Sequence, residues 1–210
     1  MDDHKSANEP VVIDERRLLD TLGRLEALWL DAGAPIAISL APGLGPDEID
    51  SIAGKSGLFI PDGLKKWWGW HNGTGPSATD PGRRETGVGL DLLSLEESLA
   101  LREELLSDFK VSPAPEELPE WYWRPNWLPF AGRWNGALFV DTSERSTGTH
   151  VRMLDAMWED VHLVRAWTLT EVAEAWSHLI ERGWAYWVPD AHAWGIRPDL
   201  PLYLRRSGLI

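Results

Sequence analysis

The residues best suited to chemistry stand together. Glu116, Glu117 and Glu120 run directly into Trp121, Tyr122 and Trp123. Carboxylates flanking a sugar held on aromatic rings are what glycoside hydrolysis uses, provided that two acids sit at the right separation across the scissile bond. A sequence does not show that separation, and acidic loops beside aromatics are common. The same residues therefore read better as an acidic, aromatic docking edge, with a catalytic pair or a glycan-binding module as the lesser readings. Other reactive signatures fail. GKSG at 54–57 has Ile49 where a phosphate loop needs its first glycine, and it follows a helix pattern rather than a strand. Neither a GxSxG elbow nor an HExxH zinc helix occurs. The six histidines are dispersed, and His162 falls in a strand pattern that suits a structural or solvent-facing role. With no cysteine there is no disulfide, thiolate zinc site or cysteine nucleophile. The expectation is a chain with no catalytic residue, no metal and no cofactor.

Charge narrows the partner. Lys and Arg number 20 against 33 Asp and Glu, a net charge of −13. Such a field repels nucleic-acid phosphates and anionic lipid and draws in a basic partner, chiefly by speeding encounter. It also simply keeps a protein soluble. The N-terminal MDDHKSANEPVVIDE lacks the basic and apolar regions of a secretion signal, and no stretch approaches the roughly 20 apolar residues of a membrane span. A cytoplasmic location is expected.

The elements that position these residues follow from periodicity. At 210 residues the length suits one core. Leu18, Leu22, Leu25, Trp29 and Ala32 recur at steps of three and four, which predicts a helix from an Asp14 cap to a Gly33 stop. Pro46 with Asp47 and Glu48, and Pro61 with Asp62, open two further helices; in the second, Leu64, Trp67 and Trp68 face inward and Asn72-Gly73 is expected to close it. GVGLDLL reads as a strand, and Ser94 and Glu97 as a capping box before LEESLALREELL. Residues 110–120 read as a surface loop. Four strand patterns follow, NWLPFAG, RWNGALFVD, GTHVRMLD and DVHLVRAW, with Asn135-Gly136 as a hairpin turn. Thr168 and Glu171 cap a last helix whose buried face is Val172, Trp176, Leu179 and Ile180, ending at Gly183. The expected fold is a single α+β domain, a largely antiparallel or mixed sheet flanked by helices. Its parts are a polar start at 1–13, a domain at 14–183, and an apolar extension at 184–210 that folds back, with Trp184, Trp187 and Trp194 sealing the core or meeting a partner.

Fourteen tryptophans are unusual for this length. At roughly 150 to 250 Å² each, they offer on the order of 3,000 Å² of buried surface, more than one such core need hold. Some are therefore expected at the surface, with Trp121 and Trp123 foremost and Trp127 facing inward.

Taken in order, GPDEIDSI, IPDGLKKWWGWHNG, LLSLEES, RPNWLPFAGRWNGALFVD and GTHVRML resemble the SUKH superfamily over residues 40–183. That group holds bacterial immunity proteins and fungal cell-wall assembly regulators. The resemblance implies fold-defining roles for Pro61, Asn72, Gly73, Trp127, Leu128, Pro129, Gly136, Asp141 and Gly148. WWGW at 67–70 stands where a tyrosine and smaller residues are more usual, and the tail runs past the common boundary. The implied function is protein binding without catalysis: neutralising a cognate toxin by occlusion, with Glu116, Glu117, Glu120, Trp121 and Trp123 meeting a basic toxin domain. The alternative is a regulator-like scaffold. Nucleic acid, membrane and small-molecule substrates are not expected as partners.

Overall fold

A computed structural model describes residues 15–75, 84–108, 124–133, 136–143, 151–155 and 160–201. The first helix, α1 (Glu15–Asp31), lays Leu18, Leu22, Leu25 and Trp29 into the core with no exposed surface. Burying these four side chains is worth roughly 6 to 12 kcal/mol gross, before chain entropy is subtracted. They pack against the last helix, α5 (Leu169–Glu181), whose Val172, Trp176 and Leu179 are equally buried. Arg17 pairs with Glu174 through Nη2 at 2.7 Å, and Arg24 pairs with Glu181 through Nη2 at 2.5 Å. Both contacts join residues 157 apart, so the two helices run parallel. The Thr168–Glu171 capping box fixes the start of α5 as expected. Ile180 is half-buried rather than buried.

Among the described residues, two antiparallel sheets lie between these helices in sequence and a third follows α5. β1 (Leu40–Pro42) pairs with β2 (His71–Thr74), and α2 (Pro46–Gly54) and α3 (Asp62–Trp70) lie between them in sequence. The main sheet has five strands in the order β3-β4-β5-β6-β7: Asp91–Leu92, Trp127–Arg133, Gly136–Asp141, Val151–Asp155 and Asp160–Trp167. The protein is one α+β domain. Side chains alternate across a strand, and here the alternation divides two cores. Leu128, Phe130, Leu138, Val140 and Val151 join the large core with α1, α3 and α5. Trp127 and Phe139 stack at 4.6 Å on the opposite face, against Leu105 and Leu106 of α4 (Leu95–Asp108). After α5 the chain forms a hairpin, β8 (Ala185–Val188) and β9 (Ala193–Ile196), where Trp187 meets Trp194 edge on.

Two expectations are corrected. GVGLDLL yields only the two-residue β3, because Gly87 and Gly89 hold φ of 100° and 80° and bend the chain away from a ladder. Asn72-Gly73 does not end α3, which stops at Trp70 with His71 already extended. Instead the pair belongs to β2 and serves the next helix. Asn72 Oδ1 accepts from the Leu95 N–H at 2.8 Å, filling a donor left open at the α4 N-terminus, and Asn72 Nδ2 donates to Glu96. Gly73 carries φ of 68°, and a Cβ there would lie 2.3 Å from the Ser94 nitrogen. The Asn-Gly signal was real, but it answers to a contact more than twenty residues ahead.

Candidate partner-binding surface

The docking residues expected from the sequence, Glu116, Glu117, Glu120, Trp121 and Trp123, lie outside the described residues, as does Gly148. The structure does show the two stems that flank 109–123 in sequence. The first stem is α4. Its start is set by Ser94 and Glu97, each side chain meeting the other's backbone N–H at 3.1 and 2.9 Å, as the capping box predicts. Toward its end, Glu103 and Glu104 are exposed and the last turn holds no basic residue. Carboxylates near the negative pole of a helix cost stability, so α4 carries its acidity outward against its own dipole.

The second stem is Arg124–Asn126, which leads into β4. Arg102, 6% exposed, donates from Nε to the Pro125 carbonyl at 2.8 Å and also pairs with Glu103. Thr142 donates from both its backbone N–H and its hydroxyl to the Asn126 carbonyl, each at 2.8 Å. Trp127 Nε1 donates to Asp141 Oδ2 at 3.2 Å, while Asp141 Oδ1 receives the Ser143 N–H and hydroxyl at 3.0 and 2.6 Å. The stems are thus tied together by Arg102 and bolted to the end of β5 by Thr142 and Asp141. Nothing in the pattern of α4 distinguished Arg102 from its charged neighbours; its burial comes from a strand that begins more than twenty residues later.

The remaining motif positions sit at strand and helix ends. Pro61 is the N-cap of α3. Pro129 faces Phe139 beside an irregularity in the β4–β5 ladder. Gly136 pairs with Arg133 and is a strand residue, while Asn135, the other half of the expected Asn135-Gly136 turn, lies outside the described residues. No tryptophan among the described residues is exposed. Trp29, Trp67, Trp68, Trp127 and Trp176 are fully enclosed, and Trp70 and Trp184 are packed at the margin of the large core.

A charged cluster with no local signal in the sequence lies at the other end of β4. Arg133 Nη2 approaches Asp91 Oδ1 at 3.4 Å and its Nη1 approaches Glu85 Oε2 at 3.6 Å. Arg84 reaches Asp91 at 3.8 Å and Glu97 at 2.5 Å. Burial pushes the Glu85 carboxyl up from its ordinary value; Arg133 draws it partly back and Asp91 adds to the rise. Burial likewise raises Asp91, against Arg133 and Arg84. The cluster also anchors the C-terminal hairpin. Trp194 Nε1 donates to the Glu85 carbonyl at 3.1 Å, and a Cβ on Gly87 would stand 3.3 Å from its ring. On the helical side, Leu19, Leu44, Pro46, Lys65, Lys66 and Gly69 line an open groove of about 580 Å³, in which Lys65 pairs with Asp50 at 2.7 Å.

Among the described residues no group of three or more His, Asp or Glu side chains is placed to hold a metal, and no helix is long and apolar enough to cross a membrane. The chemistry on view is ion pairing and hydrogen bonding that fix loops. No curated protein matches the chain at a significant level. A family model does match, over residues 43–182, from α2 through α5. That span is most of the chain and includes the sheet, both stems and the charged cluster, and by it the chain belongs to the SMI1/KNR4 family (SUKH-1).

Proposed function

We propose that this protein is a non-enzymatic, cytoplasmic binding domain that neutralises a cognate bacterial toxin by covering its working surface. The observation that carries this reading is membership of the SMI1/KNR4 (SUKH-1) family across residues 43–182. The net charge of −13 supports a basic partner, because opposite fields steer encounter. The paired stems support a docking role for 109–123. A segment whose ends are held by Arg102 and Thr142 loses less freedom on binding than one on free ends, which leaves more of the contact energy as affinity. Within it, Glu116, Glu117 and Glu120 steer the partner while Trp121 and Trp123 hold it, since buried aromatics dominate binding energy and rim charges dominate rate.

Co-expression with the product of the adjacent gene tests the reading directly. The expected result is a complex that survives purification and restores growth to cells making the neighbour alone. A neighbour that is harmless and does not co-purify would instead favour a scaffold with an endogenous partner.

A further inference from the structure

One imidazole joins three elements. His71 caps the end of α3 and opens β2. Its Nδ1 lies 2.8 Å from the Ala41 carbonyl oxygen in β1, and its Nε2 lies 3.3 Å from Glu26 Oε2 on α1. The same carboxylate oxygen accepts from Trp70 Nε1 at 3.1 Å, and the Trp70 ring meets the imidazole edge on at 4.7 Å. The groups facing the ring are therefore a carboxylate from α1, a backbone carbonyl from β1 and an indole from α3. Among the described residues, the titratable or charged side chain in contact with it is that of Glu26.

A carbonyl and a carboxylate can only accept hydrogen bonds. A neutral imidazole has a single N–H, so one of its two contacts would set a nitrogen lone pair against an oxygen lone pair. The imidazolium donates at both. The Nδ1 contact is the shorter, so the proton given up is the one on Nε2, and the contact released is the one to α1. We propose that His71 is a proton-operated clasp: charged, it ties both α1 and β1 to the start of β2; neutral, it keeps β1 and lets go of Glu26. The next residue, Asn72, caps α4, so the clasp sits where α1, β1 and α4 are wired together.

The clasp is complete in the imidazolium form and half open in the neutral one. With side-chain exposures of 21% for His71 and 41% for Glu26, the pair resembles a surface ion pair, worth roughly a two- to fivefold change in an unfolding equilibrium. A double-mutant cycle on the full-length protein with Glu26→Ala and His71→Ala reads it. The expected result is a two- to fivefold coupling in acid, where imidazole nitrogen NMR shows both ring nitrogens protonated, that disappears in base, where it shows one. Equal coupling at the two pH values, or none at either, overturns the proposal. Imidazole nitrogen NMR of the unmutated protein gives a check that does not depend on the variants folding. The neutral ring should carry its proton on Nδ1; an Nε2-protonated neutral ring would overturn it.

Discussion

Arg133 holds the charged cluster together, and its removal should be far more costly than removal of a carboxylate it serves. The cluster contains three carboxylates (Glu85, Asp91 and Glu97) and two guanidiniums (Arg84 and Arg133), a net of one negative charge. Side-chain exposure is 13% for Glu85, 17% for Asp91 and 23% for Arg133. Arg133→Met leaves Glu85 without its cation and raises the excess negative charge. Breaking a fully buried pair costs about 3 to 5 kcal/mol, and the residual exposure here reduces that to about 2 to 3 kcal/mol. For a chain of this size that is a fall in Tm of roughly 5 to 10 °C. Asp91→Asn instead leaves Arg133 with Glu85 and Arg84 with Glu97, a balanced set, and should cost less than about 1 kcal/mol. The pH dependence has a definite sign. The native carboxyls of Glu85 and Asp91 are raised by burial, so the folded state holds those protons more tightly than the unfolded state. Their penalty is full above the raised values and is relieved as pH falls through them. The Arg133→Met deficit should therefore be largest near pH 7.5 and shrink toward pH 4.5. Urea unfolding followed by circular dichroism at both pH values measures it. A deficit no greater than that of Asp91→Asn at pH 7.5, or one that grows in acid, would refute the reasoning.

Three further outcomes are expected. Gly73→Ala should destabilise by more than about 3 kcal/mol, since it adds left-handed strain to a Cβ 2.3 Å from the Ser94 nitrogen; a melting curve suffices. Arg102→Met, which keeps the stem of the side chain but not its donors, should cost about 1.5 to 3 kcal/mol. It should also weaken partner binding beyond that of an equally destabilised variant elsewhere, as read by calorimetry. Changing Glu116, Glu117 and Glu120 together to lysine should slow association and flatten its salt dependence in stopped-flow mixing while leaving Tm within a few degrees.

Local signals were legible because their partners are near in sequence. The Ser94–Glu97 and Thr168–Glu171 boxes close over three residues, and the Leu18–Trp29 stripe declares its buried face by spacing alone. The strands from Trp127 to Trp167 were visible for the same reason, and their order is that of a meander. What escaped depends on distance along the chain. Asn72 reads as a helix stop until Leu95 is brought to it, Arg102 as one more surface charge until Pro125 covers it, and Glu85 as a polar loop residue until Arg133 and Trp194 arrive. The apolar tail announced only that it would not float free; its hairpin register rests on pairing across a short turn that the sequence does not single out.

The parallel arrangement of α1 and α5 has a consequence for synthesis. The residues that zip them stand 157 positions apart, and chains are made at roughly 5 to 20 residues per second. After α1 leaves the ribosome, its leucines and Trp29 wait on the order of ten seconds or more before the helix that covers them exists. Throughout that interval α1 can pack on α3, but the side meant for α5 stays open to water.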